Sequence, residues 1–338
     1  VTGEADTTIS NIAKKVIKQE EKVKGIIEGD APMNLDKLPF PAWHLIDWKR
    51  YKVTTNNIMA SRGCPFHCVF CSIPAIKRIS RFRSAKSVTD EMLAVSHFTK
   101  KKMYTFLDDT LTLNRANTVS LMKLIIASGL NIDFEGHTRA NLIDEELVIL
   151  MKKAGLKEII FAVESGSERV RNEIIDKRIK NKDIEDAMRL CKKHNILADM
   201  YLMLGFPTET KEEVEETVNF PKRTKPNIFG LHITVPLPGA PIWDMAINNG
   251  IIPQNTIDSY IRGDFGEGFN ESWPLYENSQ VPLKYLKKAQ SRAYKQYYLT
   301  PSYLWHRIKN NIKNPDSLKK DFTQALSLLK SGHAKYLE

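Results

Sequence analysis

Between Lys52 and about Gly250, short apolar runs alternate with longer amphipathic stretches. The runs at 53–60, 104–108, 132–136, 158–163, 198–204 and 229–235 predict strands. The stretches at 86–100, 115–128, 143–154, 181–194 and 210–223 predict helices. Ile159-Ile160-Phe161-Ala162-Val163 is apolar throughout, as expected of a strand buried on both faces. Asp144-Glu145-Glu146 puts negative charge at a helix start, where the peptide dipole favours it. Thr210 followed by Glu213 has the form of a capping box. Six strands, each followed by helix, predict a parallel sheet with right-handed crossovers. The fold class expected is α/β, a partial (β/α)6 TIM-like barrel. Glu164 then stands at the carboxyl end of a strand, where barrels carry their chemistry.

The two ends read differently. Ser10 to Ile27 is polar and helix-like, and Leu38-Pro39-Phe40-Pro41-Ala42-Trp43 is a Pro-punctuated linker. Residues 251–280 read as loop, with Gly263, Gly266 and Gly268, and helix resumes from Pro282. The divisions expected are 1–50, 51–250 for the barrel, and 251–338 for a helical C-terminal extension. With 42% hydrophobic and 27% charged residues, the 338-residue chain has ordinary globular composition. Sixteen Gly and sixteen Pro exclude a collagen-like class, and four Cys exclude a disulfide scaffold. No apolar run approaches the roughly 20 residues of a membrane helix. Val1 to Gln19 has no secretory-signal pattern, and the absence of an initiator Met reads as the middle of a longer protein.

The net charge is +10, and residues 281–338 supply most of it, with 12 Lys/Arg against 3 Asp/Glu. A solvated helical face is the simplest reading, while an acidic membrane surface, nucleic acid or an acidic protein would also suit such a tail. Tyr285, Tyr294, Tyr297, Tyr298, Tyr303 and Trp305 lie among these charges. Such aromatics can stack on bases, but at helical spacing packing against the body is expected.

The most informative stretch is Arg62-Gly63-Cys64-Pro65-Phe66-His67-Cys68-Val69-Phe70-Cys71, with cysteines spaced C-x3-C-x2-C. Three thiols leave an odd one for disulfides. Structural zinc wants four ligands, and neither His67 nor the distant Cys191 gives finger spacing. Thiolates also bind iron–sulfur clusters, and three would leave one iron of a 4Fe–4S cube open. Cys191, alone in a helical pattern, reads as a small buried residue.

This motif, with Phe70 before the last cysteine, resembles the radical S-adenosylmethionine (radical SAM) superfamily. The resemblance implies that Cys64, Cys68 and Cys71 hold a 4Fe–4S cluster whose open iron binds S-adenosylmethionine, with Phe70 beside that cofactor. One electron then cleaves the sulfonium to methionine and a 5′-deoxyadenosyl radical. Phe106-Leu107-Asp108-Asp109-Thr110 looks like the strand-two motif, implying methionyl contact by Asp108 or Asp109; helix capping by Asp109 or Thr110 also fits. Gly136-His137-Thr138-Arg139 resembles the barrel-top arginine segment. Glu164-Ser165-Gly166-Ser167 matches the position that holds the cofactor's ribose or methionyl part, which implies roles for Glu164 and Ser165. Leu204-Gly205-Phe206-Pro207-Thr208-Glu209-Thr210 is similar to the family's Gly-Phe-Pro-x-Glu-Thr segment, implying an adenine approach at Gly205. Leu237-Pro238-Gly239-Ala240-Pro241 looks like its Pro-x-Pro-Gly-Thr-Pro segment.

The resemblance is to the branch with an N-terminal cobalamin-binding domain. It implies that 1–50 holds the end of that domain and its linker, with most of the domain lacking, and no Asp-x-His-x-x-Gly motif occurs. It implies C-methylation or related tailoring of an unactivated carbon, with cobalamin as a further cofactor. The substrate would be a small molecule or a lipid, and the electron donor a flavodoxin or ferredoxin. A cytoplasmic, low-oxygen setting is expected, with peripheral membrane contact only through the basic tail and no nucleic acid. The alternatives are a radical SAM enzyme without cobalamin, such as a methylthiotransferase, or a basic zinc-containing nucleic-acid-binding module.

Overall fold

The computed structural model describes residues 4–18, 24–48, 50, 55–73, 79–264, 276, 278 and 280–311. Gly3, Gly266, Gly268 and the tail from 312 to 338 lie outside the described residues. Six parallel strands follow one another in sequence order: β1 Asn56–Ile58, β2 Met103–Phe106, β3 Asp133–Thr138, β4 Leu156–Glu164, β5 Leu197–Leu204 and β6 Phe229–Ile233. Among the described residues the α-helices are α1 Asp6–Ile17, α2 Ala85–Phe98, α3 Arg115–Ala127, α4 Glu145–Ala154, α5 Asn181–Lys193, α6 Lys211–Thr224, α7 Pro241–Asn248, α8 Thr256–Arg262, α9 Leu283–Tyr298 and α10 Pro301–Asn311. The chain divides into two compact units. One comprises Val1–Pro65, Ile73–Thr138 and Glu146–Lys157; the other comprises Phe66–Ser72, Arg139–Glu145 and Glu158–Glu338.

In the first unit, β1 pairs with β2 and β2 with β3, with Asn57, Thr105 and Glu135 in one row across the strands. Residues alternate as the pleat requires. Ile58, Tyr104, Phe106 and Phe134 are buried, whereas Thr105, Glu135 and His137 on the other face are half-buried. A two-residue antiparallel pair, Ser61–Arg62 with Arg81–Phe82, closes the base of the cysteine loop. The N-terminal helix starts at Asp6 rather than Ser10 and ends at Ile17; no residue of it is buried.

In the second unit, Ile159, Ile160, Phe161 and Val163 of β4 are all buried, as their unbroken apolar run required. The capping box at Thr210 and Glu213 forms at the start of α6. Within 251–280, read as loop, stands α8 (Thr256–Arg262), and before it α7, opened by Pro241 at its first position, where the missing N–H costs nothing. Val170–Ile174 forms one π turn, which periodicity cannot reveal.

The tyrosines pack on the body, as expected, whereas Trp305, expected to do the same, is 69% exposed. Tyr294 and Tyr298 of α9 stack on Phe229, and their hydroxyls engage the outer edge of β6. The Tyr298 hydroxyl accepts from Phe229 N (2.7 Å) and donates to Phe229 O (2.9 Å). The Tyr294 hydroxyl does the same at Leu231 (2.8 and 3.0 Å). Side chains thus stand in for a neighbouring strand and cover an otherwise open edge. Tyr298→Phe leaves that buried N–H and C=O unmet. We expect a loss of about 1–3 kcal/mol, read by denaturant unfolding.

Candidate active site

In the first unit the approach to the cysteine loop is anchored by charge. Asp108 is buried and accepts from Ala60 N (3.0 Å) and from the Ser61 hydroxyl. Burial pushes its carboxyl up to about 6, and the Ala60 N–H draws it back down. Asp108 therefore fixes the turn between β1 and the cysteine loop. Asp109 is exposed, and the cap of α3 is Asn114 rather than Asp109 or Thr110. Arg62 forks onto Asp6 (2.8 and 3.1 Å), whose carboxyl it holds below the usual range, and Arg81 pairs with Glu4. Gly63 then takes φ 87°, a left-handed turn that delivers the chain to Cys64.

In the second unit, residues 66–72 of the loop are pinned on both sides. Val69 N donates to Ile175 O (3.1 Å), and Val69 O accepts from Ile242 N (2.9 Å). Cys68 is buried and Cys71 half-buried against Val170, Ile175, Phe206, Ile242 and Trp243. The Phe70 ring lies 6.0 Å from that of Phe206. The surroundings of these two thiols are therefore largely apolar, and Cys68 is buried.

Phe66 links the loop to a buried charge chain. The Arg139 guanidinium lies 3.6 Å from the centre of the Phe66 ring, and Arg139 donates to Lys177 O. The Lys177 ammonium donates to Glu164 Oε1 at 2.9 Å, with both side chains buried. Glu164 itself has φ 71°, and the register of β4 shifts between Ala162 and Glu164. A glutamate in the left-handed region carries strain of roughly 1–2 kcal/mol, a feature concentrated at functional sites. Asp176 (φ 58°) and Arg178 (φ 56°) flank Lys177 in the same conformation, so the segment after the π turn is kinked.

Ser165 does not accompany Glu164. Its hydroxyl lies 3.1 Å from that of Thr217 on α6 and accepts from Ser167 N. A Cβ on Gly166 would come within 2.7 Å of Glu216 O, so only glycine admits α6 this close. Arg171 is fully buried and ties the segment together, donating to Ser165 O (2.9 and 2.6 Å), Ile179 O (2.9 Å) and Asn181 Oδ1 (2.7 Å).

Gly205 has φ 87°, and a Cβ there would meet the Leu286 side chain at 2.8 Å. Protein atoms thus fill that side of the turn, which by itself requires glycine. Its N–H and that of Phe206 donate to Glu209 Oε2 (2.5 and 3.1 Å). Glu209 is fully buried, its Oε1 has no hydrogen-bond partner, and burial raises its carboxyl to about 7. The native state therefore holds a proton that the unfolded chain releases near 4.5. Stability should fall as pH rises from about 5 to about 7, by up to on the order of 3 kcal/mol from this group. Glu209→Gln should flatten that slope in urea unfolding at stepped pH.

No spacing along the chain marks Lys177, Arg171 or Glu209. Glu209 lay inside the quoted Gly-Phe-Pro-x-Glu segment, which was a usable signal. Lys177 and Arg171 lie in and after the π turn, where no period marks a buried face.

All four cysteines are thiols. Cys191 is fully buried in α5, and burial raises its thiol to about 12, as suits a core residue. Among the described residues no three His, Cys, Asp or Glu side chains gather as ligands of a single ion. The donor chemistry, three soft thiols on one short loop and two of them in apolar surroundings, fits a thiolate-bound iron–sulfur cluster. No described helix is long and apolar enough to cross a membrane.

Residues 58–220 match the Radical SAM superfamily. The chain is 30% identical over 322 residues to an uncharacterized methyltransferase of Pyrococcus horikoshii, a match covering 90% of this chain and 68% of that one. It is 25% identical to the anaerobic magnesium-protoporphyrin IX monomethyl ester cyclase of Cereibacter sphaeroides, covering 86% of this chain and 51% of the cyclase. The chain thus spans about half to two thirds of these relatives' length. Among solved structures, the cobalamin-dependent S-adenosylmethionine radical enzyme OxsB superposes with a TM-score of 0.64 at 16% identity, covering 96% of this chain and 54% of that one. TsrM, a radical S-adenosylmethionine methyltransferase of Kitasatospora setae, gives 0.54 at 20% identity, with 58% and 39% covered. These two show the shared α/β fold. By its sequence match to the Pyrococcus relative and to the family itself, the chain belongs to the radical SAM superfamily, whose enzymes use a 4Fe–4S cluster and S-adenosylmethionine.

Proposed function

We propose that the chain forms the radical-generating barrel of a C-methyltransferase, with cobalamin as the methyl carrier in the whole protein. The reading is carried by the chain of contacts from the cysteine loop through Phe66, Arg139 and Lys177 to Glu164. Cys64, Cys68 and Cys71 as thiolates hold the cluster, which when bound supplies the electron that splits S-adenosylmethionine into methionine and a 5′-deoxyadenosyl radical. Glu164 accepts hydrogen bonds from the cofactor's diol or ammonium. Lys177 aims Glu164 through their buried ion pair, and Arg139 holds Lys177 by its carbonyl. Phe70 and Phe206 keep water from the two apolar-set thiols. Asp108 orients the loop through Ala60 and Ser61. Asp109, Ser165 and Gly205 are proposed for the cofactor on their sequence motifs, the last two as shape-setting residues.

Cobalamin is supported by similarity to OxsB and TsrM, and methyl transfer by the Pyrococcus relative and the cytidylyl-2-hydroxyethylphosphonate methyltransferase of Streptomyces wedmorensis, 23% identical. Ring formation is the second reading, favoured by similarity to the anaerobic cyclase. A small flavoprotein or ferredoxin is the proposed electron donor. The test is anaerobic reconstitution with iron and sulfide, then incubation with S-adenosylmethionine and dithionite. Formation of 5′-deoxyadenosine supports the reading; an iron-loaded chain that forms none overturns it.

A further inference from the structure

The outward face of α9 carries charge of one sign. Lys284, Lys287, Lys288, Ser291 and Lys295 recur at helical spacing on that face, and the four lysines are exposed. Leu286, Ala289 and Ala293 on the opposite face are buried. No Asp or Glu occurs between 281 and 311. Glu215 of α6 reaches this helix, but it accepts from the Tyr285 hydroxyl (2.5 Å) and pairs with Arg292. Among the described residues no carboxylate pairs with Lys284, Lys287, Lys288 or Lys295. These side chains border an open groove of about 660 Å³. The Lys211 ammonium, 5.7 Å from the centre of the Tyr285 ring, adds a further cation from α6.

What lies behind this face is the cysteine loop. Leu286 is the side chain that a Cβ on Gly205 would meet at 2.8 Å. Phe206, the next residue, shares one apolar cluster with Cys68, Phe70 and Cys71. A single buried turn, Gly205–Phe206, therefore stands between Leu286 and the loop, all within the second unit. We propose that the lysine face of α9 is the docking surface for an acidic electron carrier of the flavodoxin type. The carrier's reduced flavin gives up one electron and becomes a semiquinone, and the cluster takes that electron up. The lysines steer the carrier and orient it, as opposite charge does in short-lived redox encounters. No large apolar residue of α9 is exposed to enter a bilayer, and Tyr294, Tyr297 and Tyr298 turn to the body, which leaves α9 no platform for bases. The inference rests on the radical SAM reading for its role in turnover, but docking is measured without radical chemistry.

The test titrates the reconstituted, unreduced full chain into fluorescently labelled oxidised flavodoxin and follows anisotropy. Flavodoxin should bind saturably, and raising sodium chloride from about 25 to about 300 mM should weaken it at least about 10-fold. Cytochrome c, a small basic protein, should not bind. Lys287→Glu with Lys288→Glu should weaken flavodoxin about 10- to 100-fold, and the neutral pair Lys287→Ala with Lys288→Ala about 3- to 10-fold. The same variants should slow cluster bleaching by reduced flavodoxin while leaving bleaching by dithionite unchanged. No saturable binding, affinity or bleaching rate unchanged in both variants, or indifference to salt would overturn the proposal. So would lysine-dependent binding of a single-stranded RNA or of phosphatidylglycerol vesicles that is tighter than that of flavodoxin. Absence of 5′-deoxyadenosine from the dithionite-reduced wild-type chain would instead count against the proposed function alone.

Discussion

Alanine at Cys64, Cys68 or Cys71 is expected to reduce bound iron after reconstitution from about four per chain to well under one, with 5′-deoxyadenosine formation lost. A cube held by three thiolates has no spare ligand, so removal of any one opens a second iron to solvent. Cys191→Ala should keep full iron, because its thiol is buried in α5 and raised to about 12 by that burial. It should cost stability instead, by about 1 kcal/mol for the small cavity. Iron and sulfide analysis of the four variants reads this directly. Loss of iron in the Cys191 variant, or retention in any of the other three, would contradict the ligand assignment.

Glu164→Gln is the second large effect. The side chain keeps its size but loses its charge, so iron content should stay near four while S-adenosylmethionine affinity falls about 10- to 100-fold. That range corresponds to the roughly 1.5–3 kcal/mol of hydrogen bonds to a charged group. The partner variant Lys177→Met should behave differently. It strands the Glu164 carboxylate, buried, without its ammonium, and should lower folding stability by roughly 3–5 kcal/mol. The double variant Glu164→Gln with Lys177→Met should regain much of that stability but not the affinity. Equilibrium dialysis with S-adenosylmethionine and urea unfolding separate the two quantities. Unchanged affinity in Glu164→Gln would remove it from the cofactor site.

Much of the fold was legible because its signals are local. The five helices and six strands repeat a period of apolar residues, and the capping box read at Thr210 and Glu213 forms, whereas α3 is capped by Asn114 and not by Asp109 or Thr110. The cysteine loop was legible because three thiols in eight residues have few uses. The chain from Phe66 to Glu164 was not. It depends on a π turn at Val170–Ile174 and on left-handed residues at Glu164, Asp176 and Arg178. No composition or period announces these, since ordinary side chains adopt them only under tertiary constraint. Asp108 shows the same dependence on packing. An acid at a strand end reads as a ligand contact, yet its oxygens are engaged by Ala60 and Ser61 of its own unit. Ser165 likewise turns to Thr217 on α6. Short-range sequence gives the position of a polar residue along a strand, but its partner is set by how neighbouring elements pack.

The central claim is that this chain holds a cluster with one iron open to S-adenosylmethionine. The most direct measurement is the electron paramagnetic resonance spectrum of the anaerobically reconstituted, dithionite-reduced protein, recorded with and without S-adenosylmethionine. About four iron per chain are expected, with a cluster signal whose shape and g-values change on addition of S-adenosylmethionine. A cluster signal indifferent to S-adenosylmethionine, or a protein that takes up zinc and no iron, would contradict it.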